Sequence, residues 1–142
     1  MALSADKKRV TRNVQGKCTA QFLLADSQTV YEGALIMINA SGNAVVGADT
    51  ASMTFGGVAK AAVTSSTSNT TKYVDVEYGH EEWFPKESAV TAADLGANLV
   101  VYDDNSLTDA GAATNDVSVG QAVQLETING TAGVWIRVRQ FA

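Results

Sequence analysis

Residues able to do chemistry are few in this sequence, and they are scattered. His80 stands in Gly79-His80-Glu81-Glu82, an imidazole beside two carboxylates, and it is the chain's one histidine. A metal centre needs three or four converging ligands, and no second histidine or cysteine cluster is present to supply them. His80 is therefore expected to be a turn histidine. Asp103-Asp104-Asn105 resembles the start of a calcium loop. Ser106, Leu107, Thr108 and Asp109 follow, where alternating oxygen ligands and a late bidentate glutamate are required, so the triplet reads as a turn. No Gly-x-Ser-x-Gly elbow exists to pair a serine with the histidine. Gly56-Gly57 lacks the Lys-Ser/Thr ending of a phosphate-cradling loop. Paired carboxylates for glycoside chemistry depend on spatial pairing, and no positive sign marks them here. The expectation is a protein that is not an enzyme, with no catalytic residues, metal or cofactor.

The elements that carry these residues belong to one domain, since 142 residues fall within the size of a single compact core. Charged residues make up 18% of the chain, below the roughly 25% of an average soluble domain, which leaves more neutral surface for partners to cover. Cys18 is the single cysteine, so an intrachain disulfide is excluded, and its expected role is that of a small, semi-buried apolar residue. No apolar run approaches the ~18 residues that span a bilayer, and the first thirty residues lack a signal-peptide stretch, so a soluble, cytoplasmically made protein is expected.

Charge is unevenly distributed. Residues 1–17 carry Lys7, Lys8, Arg9, Arg12 and Lys17 against Asp6, a balance of plus four; the chain's total of minus five leaves minus nine on the remainder. A basic arm, taken as residues 1–28, thus precedes an acidic body over residues 29–142. Terminal blocks of like charge are commonly interaction segments. Val10, Thr11 and Asn13 interrupt the charges, which makes a poor phosphate track, so a protein surface is the expected partner and nucleic acid is not.

Beyond the arm, β-branched runs bounded by Gly, Asn, Asp and Ser recur, and an all-β fold is expected. Strands are expected at Val30–Ile38, Thr54–Val63, Lys72–Tyr78, Asn98–Tyr102, Val117–Thr127 and Gly133–Arg139. Asn129-Gly130 is the strongest hairpin signal and should join the last two strands as neighbours. Thr64–Thr71 has no apolar anchor and reads as an exposed, mobile loop; residues 88–95 can form a short helical turn.

A repeat runs through the body. Gly33-Ala34 opens an apolar run, a turn follows at Gly42, and the chain reaches Gly57-Val58-Ala59; Gly96-Ala97, Asn105 and Gly120-Gln121-Ala122 repeat the series 63 residues later. Val74, Val76 and Tyr78 correspond to Val134, Ile136 and Val138 at an offset of 60. Two similar halves sharing a core suggest a small closed barrel, with glycine where the sheet bends. Trp135 alternates with Val134 and Ile136 and serves either as barrel filling or as an outward contact. Trp83-Phe84-Pro85 places bulky rings at a strand end, where Trp83 and Phe84 either cap the core or contact a subunit or capsid.

Taken in order, several of these segments resemble a family of phage head decoration, or capsid cement, proteins. They are Leu3–Arg9, Val30–Ile36, Ser41–Val45, Phe55–Ala59, Val90–Gly96, Val100–Asn105, Val119–Val123 and Gly133–Val138. The resemblance implies a small β-barrel or β-tulip with an extended N-terminal arm. It also implies a virion location on the outer capsid surface, the major capsid protein as partner, and assembly as a homotrimer. The basic arm and the His80–Pro85 segment depart from the pattern. Within this reading the contact residues are Lys7, Lys8, Arg9, Arg12, Trp83 and Phe84, with the arm laid on the shell. Alternatives are a tail, fibre or baseplate component, or a carbohydrate-binding module using Trp83, Phe84, Glu81 and Glu82.

Overall fold

The computed structural model describes residues 1–141 and is all-β, with thirteen strands and two single-turn 3-10 helices. In chain order the strands are β1 (Thr11–Arg12), β2 (Cys18–Leu23), β3 (Thr29–Val30), β4 (Leu35–Ile38), β5 (Ala44–Val46), β6 (Thr54–Ala59) and β7 (Val63–Thr64). They continue as β8 (Tyr73–Tyr78), β9 (Glu81–Pro85), β10 (Asn98–Val101), β11 (Leu107–Asp109), β12 (Ser118–Ile128) and β13 (Thr131–Val138). One sheet runs β2-β8-β6-β4-β5, a second β1-β9-β13-β12-β10-β11, and β3 pairs with β7 in a small ribbon.

The repeat in the sequence is a repeat in the fold. Strands β2, β4, β5, β6 and β8 have the same order and antiparallel pairing as β9, β10, β11, β12 and β13. Glycines explain why the spacing is kept. Gly33 and Gly96 have φ of 86° and 90°, and their amides donate to Ala59 and Ala122 at 2.9 and 2.8 Å. Gly57 and Gly120 have φ of 143° and 153°, and the ladder shifts register beside each, between Ile36 and Met37 in one half and between Leu99 and Val100 in the other. Such backbone is strained for any residue with a Cβ, so each bend needs its glycine.

The main core lies between the halves and draws Leu35, Met37 and Phe55 from the first and Phe84, Leu99, Leu107, Val134 and Ile136 from the second. A smaller cluster of Leu24, Val30, Ile36, Ile38, Val74 and Val76 fills the other face of the first sheet, with Val63 of the ribbon packed on it. Strand β4 therefore contributes to both cores in alternation, which is why all four of its residues are buried.

The sheets do not close into a ring, and at one end of each a local segment caps the outer strand. Ala25 donates to Ala44 of β5 and Glu87 to Leu107 of β11, each at 2.9 Å and at corresponding places in the two halves. The closed barrel inferred from the repeat is thus replaced by two open sheets about a common core.

The Asn129-Gly130 hairpin forms, with Ile128 opposite Thr131 and φ of 49° and 77° at the two turn residues. The helical turn forms at Ala92–Asp94, where Thr91 and Asp94 make a capping box. Val30–Ile38 is two strands rather than one, because the positive φ at Gly33 turns the chain; Thr54–Val63 divides after Ala59 so that Val63–Thr64 can join the ribbon. The loop at Thr64–Thr71 has polar anchors in place of apolar ones. Ser65 and Asn69 are buried; the Ser65 hydroxyl donates to Ala25 O at 2.6 Å, and Asn69 Nδ2 donates to Leu24 O at 2.7 Å. Residues 1–28, read as an arm, are laid into the body instead, with β1 on one sheet and β2 on the other.

Candidate functional site

The basic N-terminal residues converge on one place, a strap that crosses from the second half to the first. Leu3 donates to the Asp104 carboxylate at 2.7 Å and Lys7 Nζ to Asn105 at 3.3 Å, both in the second-half turn. The Lys7 amide then donates to Glu32 O, and Arg9 Nε to Gly33 O, each at 2.9 Å, in the first half. Trp83 donates to Val10 O at 3.0 Å, and Thr11–Arg12 pairs with Glu81–Glu82 on the outer edge of β9. Gly33 has no room for a side chain because the Lys7 carbonyl lies where its Cβ would be.

The expected contact residues are brought together, but most of them face inward. The Arg9 guanidinium carbon lies 4.6 Å from the centroid of the Phe84 ring, and Phe84 is fully buried in the main core. Burial pushes the Arg9 guanidinium down to about 10, against the raising effect of Glu82, Asp104 and Asp103, so it stays charged at neutral pH. Arg12 lies 4.0 Å over the Trp135 ring, pairs with Glu81 at 2.7 Å and reaches Gln124 at 2.9 Å. Trp83 is buried against Gly133, with its indole N–H donated to Glu126 O at 2.9 Å. Trp135 is likewise inside and donates to the Glu126 carboxylate at 2.6 Å.

Trp83 and Phe84 are therefore core residues, and the contact role considered for them is withdrawn: apolar rings at this strand end are covered by the protein's own strap. Arg9 acts as a cationic lid on Phe84 and Arg12 on Trp135, an arrangement worth about 1–2 kcal/mol each when desolvated. Lys7 is partly covered, and burial followed by the neighbouring Arg9 charge lowers its ammonium pKa. Lys8 is 93% exposed, in a loose 3.9 Å pair with Glu32, and Val10 is also exposed. Two clefts flank the strap. One of about 270 Å³ is lined by Lys7, Lys8, Lys17, Lys60, Glu32 and Glu77 among others; one of about 220 Å³ lies between Lys8, Val10, Trp83 and Ile128.

Beneath the strap, His80 Nε2 and Glu82 Oε1 are 2.7 Å apart and both side chains are buried. His80 does stand in the turn between β8 and β9, with its side chain inside the fold, where Arg9, His80 and Glu82 form a polar seam. Glu81 is held below the ordinary carboxylate range: burial works to raise it and is outweighed by the Arg12 and Asn13 hydrogen bonds and the charges of Arg12 and Arg137. Asp104 moves the other way, chiefly through burial. Among the described residues no group of three His, Cys, Asp or Glu is placed to hold a metal. The Glu81-Glu82 anchor was missed from sequence because two adjacent acids give no sign that a basic strand some seventy residues away will cover them.

Comparison with family models, with curated proteins and with solved structures returns no match to this chain.

Proposed function

We propose that this protein is a structural, non-enzymatic component of a phage particle that binds the outer face of the assembled capsid and stabilises it. The observation that carries the reading is the strap. A basic segment is held extended across both halves of a duplicated β-module, with Lys8 and Val10 turned to solvent at its crest. A shell protein offering carboxylates and a small apolar patch would meet both. The order of segments that resembles decoration proteins supports the same role, and a duplicated small module suits a lattice, where many weak contacts to fixed copies of the major capsid protein add to a stable coat. The carbohydrate-binding alternative required Trp83 and Phe84 as an exposed platform, and their burial removes its support.

The test is co-sedimentation of the purified protein with undecorated heads of its parent phage. Saturable binding is expected, weakened at least tenfold by Lys8→Glu with Val10→Ser, two exposed positions whose change leaves the core untouched. Absence of any co-sedimentation at about 100 μM protein overturns the proposal. Binding to tails alone, seen by electron microscopy, transfers the role to a tail component.

A further inference from the structure

Four sheet edges exist in the two five-stranded repeats, and three are closed by the chain itself. The edge of β5 is covered by Leu24–Ala25, that of β11 by Lys86–Glu87, and that of β9 by Val10–Arg12. The fourth, the outer edge of β2, has no partner among the described residues. Leu24 donates to Lys72 O in the continuation of the β2–β8 ladder, so the even-numbered residues of β2 face β8. By antiparallel alternation the amides and carbonyls of Thr19, Gln21 and Leu23 point outward, unpaired. The equivalent groups in the second half belong to Glu81, Trp83 and Pro85, and the strap occupies that edge.

We propose that the free edge of β2 is a self-association surface that takes β2 of a second copy of this chain, antiparallel, about a two-fold axis. Cys18–Leu23 carries no charge, no proline and no bulge, the devices that natural edge strands use against pairing. A strand meeting its own copy sets each residue against a symmetric partner, so an uncharged strand is the kind that can do so without repulsion. The register that engages all three outward residues places Gln21 opposite Gln21 and Thr19 opposite Leu23. On the other face Phe22 then lies beside the partner's Ala20, extending apolar cover over a ring that is half-exposed in the single chain. Three exposed apolar side chains lie beside this strand: Val14 just before it, Tyr73 opposite Leu23, and Phe141 edge-on to Phe22 at 6.3 Å. The contact is independent of whether a capsid is the protein's partner, and it differs from the threefold assembly implied by the family resemblance.

Light scattering on the full chain in a Cys18→Ser background tests it. A reversible species of about twice the 14.8 kDa monomer is expected at high concentration. Gln21→Pro removes an outward amide without breaking the β8 ladder, and Gln21→Glu sets two carboxylates face to face, each beside the Asp75 carboxylate to which Gln21 now donates at 2.9 Å; each variant should weaken the dimer at least tenfold. Gln21→Cys should give a disulfide-linked dimer on mild oxidation, because facing Cα atoms in such a pair lie about 5.5 Å apart. A monomer at about 1 mM, a trimer, or a dimer that survives Gln21→Glu overturns the proposal. If Gln21→Pro fails to fold, the glutamate variant decides alone, since position 21 is exposed.

Discussion

The two halves of this molecule share strand order, bend positions and hydrogen bonds, yet the chain treats them differently. In the second half the outer edge of β9 is closed by the strap, which anchors on Glu81 and Glu82 and covers Phe84 with Arg9. In the first half the outer edge of β2 carries Thr19 and Gln21 at the corresponding outward positions and is left open. The strap does touch the first half, at Gly33, where its backbone passes too close for any side chain; around Gly96, the equivalent residue, there is open space. Duplication gives two copies of a scaffold, and a few substitutions on one edge strand decide which copy is finished internally and which remains free to pair.

The sharpest way to break this comparison is to add a single methyl at the paired glycines. Gly120→Ala should cost the most, about 3 kcal/mol or more, because it combines a positive φ with an overlap against the Arg137 carbonyl in a neighbouring strand that cannot move aside. Gly33→Ala should cost less, about 2 kcal/mol, since the overlapping Lys7 carbonyl belongs to a strap that can lift. Gly96→Ala should cost only the backbone term, about 1 kcal/mol. Urea unfolding of the three variants reads the order directly, and equal losses at Gly33 and Gly96 would show that the strap does not seat on the first half.

A second substitution pair compares the edge strands themselves. Glu81→Ala removes the acceptor of Arg12 and should destabilise by about 2 kcal/mol, in line with loss of a charged hydrogen bond. Thr19→Ala, at the matching place on the open edge, should stay within about 0.5 kcal/mol. A similar loss at both positions, again by urea unfolding, would mean that the two edges are equally engaged.

The scaffold was legible in the sequence where local chemistry dictates backbone. Gly33, Gly57, Gly96 and Gly120 announced the repeat because a positive φ admits few other residues, and Asn129-Gly130 announced its hairpin for the same reason. Strands β2 and β9 were missed. Cys-Thr-Ala-Gln-Phe-Leu has little β-branched content, and Glu-Glu-Trp-Phe-Pro buries two acids, of which Glu81 depends on the distant Arg12 and Arg137 and Glu82 on its neighbour His80. Lys7, Lys8, Arg9 and Arg12 were recognised as a group, but their division into one outward lysine, one partly covered lysine and two inward arginines depends on which rings lie below, a tertiary fact with no local signature. Trp83 and Phe84 drew attention as bulky rings at a strand end. Burial was one of two outcomes open to them, and the strap determined it.

Acidity should separate the two edges with the smallest perturbation of the fold. The Glu81 carboxyl has a lower pKa in the folded protein than in the unfolded chain, so its contribution is fully present above the ordinary glutamate value of about 4.3 and is lost as pH falls through the depressed folded value. The loss falls on the strap, because Arg12 and the Val10–Arg12 pairing share that anchor. The Trp83 amide, which donates to Val10, should therefore be protected from hydrogen exchange at pH 6 and lose protection several-fold by about pH 3, after correction for intrinsic exchange. The Gln21 amide of the dilute monomer, already facing solvent on the open edge, should exchange at an unprotected rate throughout. Glu81→Gln, which keeps an acceptor for Arg12 but cannot titrate, should flatten the Trp83 response. A Trp83 amide whose protection is independent of pH in the unsubstituted protein would show that the strap is held by its backbone pairing alone, with the Arg12–Glu81 pair contributing nothing to the difference between the halves.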